Sequence, residues 1–142
     1  MKDEQDADVT QAAVALWRLN ALRLIYLLIF VGISSFVWSQ LLFESASWPV
    51  MTGLAKSMMA AMALLSLLGI RYPLQMLPVL IWETLWKTIW ILFIAIPAFS
   101  SEQWPIIESV FYESVGIVIV YFLIPWPYVW ARFIRQPGEQ WR

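Results

Sequence analysis

Ionisable side chains occur inside stretches of this chain that are otherwise apolar. Glu83 and Lys87 are four residues apart within the apolar segment 76–99, so a helix would place them side by side on one face. A charged group at the centre of a bilayer costs at least about 2.5–3.5 kcal/mol unless it is paired or hydrated. These two residues therefore predict a polar site at membrane depth.

Three further ionisable residues lie at or near the same depth. Lys56 falls within the second apolar stretch and Glu113 within the fourth. At a rise of 1.5 Å per residue, both lie roughly 10–12 Å from one membrane surface, and Lys87 lies roughly 15 Å from it. Glu108 is within about two helical turns of that surface. Because charges avoid lipid, we expect the Glu83–Lys87 pair, Lys56 and Glu113 to meet inside a helical bundle.

This cluster supports two hypotheses about function. In the first, it surrounds an outward-biased polar cavity that binds or transports a small polar or charged solute. The three carboxyl groups of Glu83, Glu108 and Glu113 would share only two lysines. One carboxyl group could therefore hold a proton and couple transport to proton movement. In the second, the Glu–Lys pairs only fix helix packing, and the protein is a non-catalytic accessory or scaffold subunit of a larger membrane complex. The ligand-binding candidates are Glu83, Lys87, Glu113, Lys56 and Glu108.

The sequence lacks a recognisable catalytic set. It has no His and no Cys, which excludes imidazole and thiolate metal sites, His-ligated haem and thiol catalysis. It also lacks a phosphate-binding glycine loop, a nucleophile elbow and a zinc signature. An intramembrane enzyme with Lys56 or Lys87 as its base is therefore unsupported. We expect no metal, no cofactor and no nucleic-acid partner.

The composition of the chain is that of a membrane protein. Of its 142 residues, 61% are hydrophobic and 13% are charged, whereas soluble domains are about half apolar and a quarter charged. The apolar residues form blocks of about 20, the length that a helix needs to cross a bilayer. We predict one all-α membrane domain over residues 1–142. Its spans are about 22–43, 50–70, 74–97 and 105–125, followed by a short amphipathic tail, 128–135.

The distribution of basic residues predicts how the spans are oriented. Apart from Lys56 and Lys87, which lie inside spans, every Lys and Arg falls on one side of the four predicted spans. The positive-inside rule then places both termini in the cytoplasm of a multi-pass inner (plasma) membrane protein. Because every connection is short, we expect an up-down four-helix bundle. The basic residues on that side are Lys2, Arg18, Arg23, Arg71, Arg132, Arg135 and Arg142.

Aromatic and small residues mark the boundaries and the packing surfaces of the spans. Trp and Tyr prefer the membrane–water boundary, and strips of small residues let helices approach closely. We favour packing within the bundle for these strips, with a homodimer or a larger complex as the alternative. The anchors are Trp17, Trp48, Trp104, Trp126, Tyr128 and Trp130, and the small residues are Gly53, Ser57, Ala61, Ser109 and Gly116.

Overall fold

The computed structural model describes residues 14–135, and every regular element in this range is a helix. The predicted all-α class is thus confirmed, and four helices are long and apolar enough to be the predicted spans. Residues 1–13 and 136–142 of the predicted domain, with Lys2 and Arg142, lie outside the described range. The long helices are α1 (Leu16–Phe43), α2 (Val50–Arg71), α3 (Leu77–Ala98) and α4 (Trp104–Leu123). A 3-10 turn, Ser45–Ser47, joins α1 to α2, and α5 (Trp126–Val129) continues into a π-helical segment, Trp130–Arg135.

Each long helix is long and apolar enough to cross a membrane. Their lengths are 20 to 28 residues, which at 1.5 Å per residue span about 30 Å or more. No more than 28% of the most apolar stretch of each helix is buried inside the protein. The remaining apolar surface faces outward, as it must where lipid is the solvent. The up-down order of the spans and the cytoplasmic location of the termini remain predictions.

Proline and glycine explain the irregular parts of α3 and α4. Pro97 has no N–H, and its ring clashes with the carbonyl one turn earlier in a regular helix. The turn before it, Ile91–Ala95, is accordingly widened to a π-helix. In α4, Gly116 separates two α-helical parts. The helix ends before Ile124, which adopts an extended backbone, as expected for the residue that precedes Pro125.

The most extensive helix packing joins α1 to α2. A Cβ atom on Gly69 of α2 would overlap the ring of Tyr26 in α1. Tyr26 is fully buried, and its hydroxyl donates a hydrogen bond to the carbonyl of Pro73 at 3.2 Å. Small side chains on α2 therefore allow the two backbones to approach. The small buried residues of α2 recur every three positions and are Ala60, Ala63, Ser66 and Gly69.

The predicted small-residue strip of α2 lies elsewhere on that helix. Ser57 and Ala61 are exposed, and Gly53 is half-buried. Apart from the adjoining backbone of its own helix, no described atom lies within 4 Å of a Cβ atom built on Gly53. This strip therefore does not form the main contact between α1 and α2. A role in packing against another protein stays a prediction.

The apolar core lies at the end of the protein where α1 and α3 begin and α4 ends. Tyr128, which we expected to anchor the chain at the membrane boundary, is buried in this core. Of the other expected anchors, Trp17, Trp126 and Trp130 are exposed, whereas Trp48 and Trp104 are half-buried. The core consists of Leu22, Tyr26, Leu74, Leu77, Leu80, Ile124, Tyr128 and Val129.

Candidate functional site

Glu83 and Lys87 form an ion pair in the middle part of α3. The Lys87 Nζ atom lies 2.7 Å from Glu83 Oε1, as the four-residue spacing predicts. Glu83 is only 4% exposed, and the Lys87 side chain is 20% exposed. Lys87 lies about 15 Å from either end of the helix. The pair therefore lies at a depth where neither charge would be stable alone.

Trp86 satisfies the second oxygen of the Glu83 carboxylate. Its indole Nε1 donates a hydrogen bond to Glu83 Oε2 at 2.6 Å. The Lys87 ammonium also lies 5.6 Å from the centroid of the Trp86 ring, within range of a cation–π attraction. Both carboxylate oxygens thus have donors, which a buried charge requires. Sequence reasoning missed Trp86 as a donor, although its three-residue spacing from Glu83 was the available signal.

Hydroxyl groups extend this polar region toward α4. The Thr88 hydroxyl donates to the carbonyl of Thr84 at 2.7 Å. Its oxygen is also 2.7 Å from the hydroxyl of Tyr121 in α4. Because the single Thr88 proton is used on Thr84, Tyr121 is the donor to Thr88. This contact links α3 to α4 and was also missed, although a phenol inside a span must find a partner.

Lys56 lies in a different environment, near the loop that joins α1 to α2. Its Nζ atom donates to Gln40 Oε1 in α1 at 2.6 Å. The ring centroids of Phe36 and Trp48 lie 5.3 and 5.9 Å from the same atom. Within residues 14–135, Lys56 forms no ion pair, so its expected convergence with the acidic residues is not found. The amide of Gln40, inside the first span, was the signal that sequence reasoning did not use.

Glu113 is exposed on the surface of α4, contrary to its expected position inside a bundle. The buried face of α4 carries Ser114 and Ile117, and a one-residue step rotates Glu113 about 100° from Ser114. Glu113 has no ion pair or hydrogen bond within the described range. It lies nine residues after Trp104 and ten before Leu123, so it is at the middle of the span.

The remaining candidates, Glu108, Ser109 and Gly116, all lie on α4. Ser109 and Gly116 are exposed, and their spacing of four and three residues from Glu113 places them on its face of α4. Glu108 is half-buried in the first turns of the same helix. In the part of the chain that the structure describes, His, Cys, Asp and Glu form no group that could hold a metal ion.

Three cavities lie apart from the predicted cluster. An apolar groove of about 360 Å³ between α2 and α3 is lined in part by Met58, Met62 and Trp82. A cavity of about 590 Å³ lies at the end of α3, and one of about 330 Å³ lies where α1 begins. None of these three is lined by Glu83, Lys87, Lys56 or Glu113. The predicted polar cavity around the four residues does not coincide with any of them.

No protein-family model, curated protein or solved structure matches this chain. Its function is therefore inferred from its own residues.

Proposed function

We propose that the protein is a non-catalytic subunit of a larger membrane complex, in which the Glu113 face of α4 binds a membrane helix of another protein. This face is defined by Ser109, Glu113 and Gly116. The observation that carries the proposal is the exposed position of Glu113 at the middle of an apolar span. A carboxylate there is poorly solvated by lipid, so a donor from another chain would stabilise it.

Two properties of α4 favour a helix as the bound element. In its most apolar stretch only 11% of the residues are buried inside the protein, against 22–28% in the other three spans. On the Glu113 face, Ser109 and Gly116 are small and exposed, so the backbone of a neighbouring helix can come close. α4 is thus the span with the most surface left for a partner.

Charge complementarity favours a different protein over a second copy of this chain. Both lysines of the spans already have partners, since Lys87 pairs with Glu83 and Lys56 donates to Gln40. A symmetric contact through Glu113 would place carboxylate against carboxylate, which is unfavourable unless a proton is shared. The partner that fits is a membrane helix with a Lys or Arg side chain at mid-bilayer depth.

Solute binding or transport, the other function expected from the sequence, is less favoured by the geometry. Both oxygens of Glu83 already accept hydrogen bonds from within α3. Lys56 donates to Gln40 and Glu113 is exposed on α4, so neither joins that pair around a ligand. Transport by this cluster stays a prediction, and loss of uptake in a well-folded Lys87→Met variant would support it.

Site-specific photo-crosslinking in native membranes tests the proposed interface. A benzophenone amino acid at Ile106 or Val110, exposed residues beside this face, should form an adduct with a protein whose linked peptide is a membrane span that contains Lys or Arg. Leu64 of α2, which is 50% exposed, is the control position and should give lipid adducts only. Polar contacts between membrane helices contribute about 1–2 kcal/mol, so Glu113→Leu should weaken the adduct about five- to thirty-fold.

Two results would contradict the proposal. One is an equal yield of protein adducts from Ile106, Val110 and the control Leu64, which would indicate random collisions. The other is a persistent adduct in both the Glu113→Leu and the Glu113→Gln variants, because the carboxylate would then contribute nothing. An adduct with a second copy of the chain would replace the proposed partner with a homodimer.

A further inference from the structure

A cavity with one charged residue lies at the end of the protein where α1 begins. Its volume is about 330 Å³, and it separates the first turn of α1 from the proline-rich segment that follows α4. Arg18 is the charged residue of its lining. The other side chains that matter for its chemistry are Trp17, Pro125, Pro127 and Tyr128. The cavity shares no residue with the Glu113 face.

The Arg18 side chain lines this cavity and forms no ion pair or side-chain hydrogen bond with another described residue. Its Nε atom is buried and has no hydrogen-bond acceptor among the described residues. Its guanidinium carbon lies 5.4 Å from the centroid of the Trp17 ring, so the aromatic ring helps to hold the cation in place. A ligand in the cavity with acceptor oxygens would supply partners for the terminal N–H groups of the guanidinium.

The position of Arg18 along the chain indicates which acceptor is available. Arg18 is the third residue of α1, and the first turn of this helix contains no acidic side chain and no side-chain cap. The positive end of the helix dipole adds to the attraction for anions. Trp17 is exposed, and Trp residues mark the level of the lipid headgroups. Arginine binds phosphate with paired N–H donors.

We propose that this cavity binds the phosphate group of an anionic lipid headgroup, with Arg18 as its principal donor. Arg23 provides a matched comparison because it lies on the same helix, carries the same charge and is exposed. Its NH1 atom already donates to Asn20 Oδ1 at 3.0 Å. A general attraction between basic residues and anionic membranes would act on both arginines, whereas the proposed site uses Arg18 alone.

Retention of lipid by the full chain tests this proposal. The protein is reconstituted in phosphatidylcholine vesicles that contain a minor fraction of phosphatidylglycerol, released in mild detergent and analysed by native mass spectrometry. The wild type should retain phosphatidylglycerol in preference to phosphatidylcholine. Arg18→Gln should reduce that retention about tenfold, the equivalent of one charge-assisted hydrogen bond. Arg23→Gln should leave it unchanged, and Arg18→Lys should retain an intermediate amount.

Helix content and monodispersity of each variant show whether it is folded. If Arg18→Gln does not fold, two measurements replace it. They are the retention of phosphatidylglycerol by Arg18→Lys and the displacement of phosphatidylglycerol from the wild type by inorganic phosphate. Equal losses in the Arg18 and Arg23 variants would overturn the proposal, as would no preference for phosphatidylglycerol in the wild type. Full displacement of the lipid by inorganic phosphate would assign the site to free phosphate and overturn the lipid assignment.

Discussion

Replacing Lys87 with methionine is expected to lower the free energy of unfolding by about 3 kcal/mol. The variant keeps Glu83 buried, with Trp86 as its remaining donor, but removes the cation that lies 2.7 Å away. Because the Lys87 side chain is 20% exposed, we expect the lower end of the range for broken buried pairs. Reversible unfolding in mixed micelles, followed by circular dichroism, measures the change.

A double variant separates loss of the pair from loss of the lysine itself. Glu83→Gln together with Lys87→Met removes both charges and leaves an amide oxygen that can still accept the hydrogen bond from Trp86. We expect this variant to recover most of the lost stability, because a matched pair replaced by neutral groups of similar shape is often neutral. If the double variant is as unstable as Lys87→Met, the ion pair is not what stabilises this part of α3.

Replacing Gly69 with alanine is expected to destabilise the protein by about 1–3 kcal/mol. The new methyl group would overlap the ring of Tyr26. That ring is fully buried, and its hydroxyl bonds to Pro73, so it cannot move away without breaking other contacts. The contact between α1 and α2 would have to open. The same unfolding measurement reports the effect.

Gly53→Ala is the matched control, since it makes the same change on the same helix. Apart from the adjoining backbone of its own helix, no described atom lies within 4 Å of the added methyl group at that position, so we expect no loss of stability and a gain of up to about 1 kcal/mol from the higher helix propensity of alanine. In a Tyr26→Leu background the cost of Gly69→Ala should also fall, because the two positions are in contact. Equal effects of the two glycine substitutions would refute the packing of Tyr26 on Gly69.

The existence of the four spans could be predicted from the sequence because it depends on composition alone. An apolar block of about 20 residues is long enough to cross a bilayer whatever its neighbours are. The start of the helix could not be predicted in this way, since α1 begins at Leu16 and not near residue 22. The residues before the apolar block favour a helix, but hydropathy does not show whether that helix is continuous with the span.

The site could be predicted only where both partners lie on one helix. The Glu83–Lys87 pair follows from a four-residue spacing, and its 2.7 Å contact is as expected. The rotation of each helix about its axis is set by packing with its neighbours, which composition does not report. A rotation of α4 about its axis by about 100°, the angle between successive residues, decides whether Glu113 or Ser114 is buried. Lys56 likewise contacts Gln40 through the packing of α1 on α2.

Modification by an apolar carbodiimide tests most directly whether Glu113 is held by another protein while Glu83 is satisfied within its own helix. The reagent enters the bilayer and modifies the carboxyl groups that it can reach, and peptide mass spectrometry maps the products. In the purified protein in lipid, we expect modification of Glu113 and none of Glu83. In native membranes, Glu113 should be protected. Modification of Glu83 as fast as Glu113, or equal modification of Glu113 in both preparations, would contradict the account.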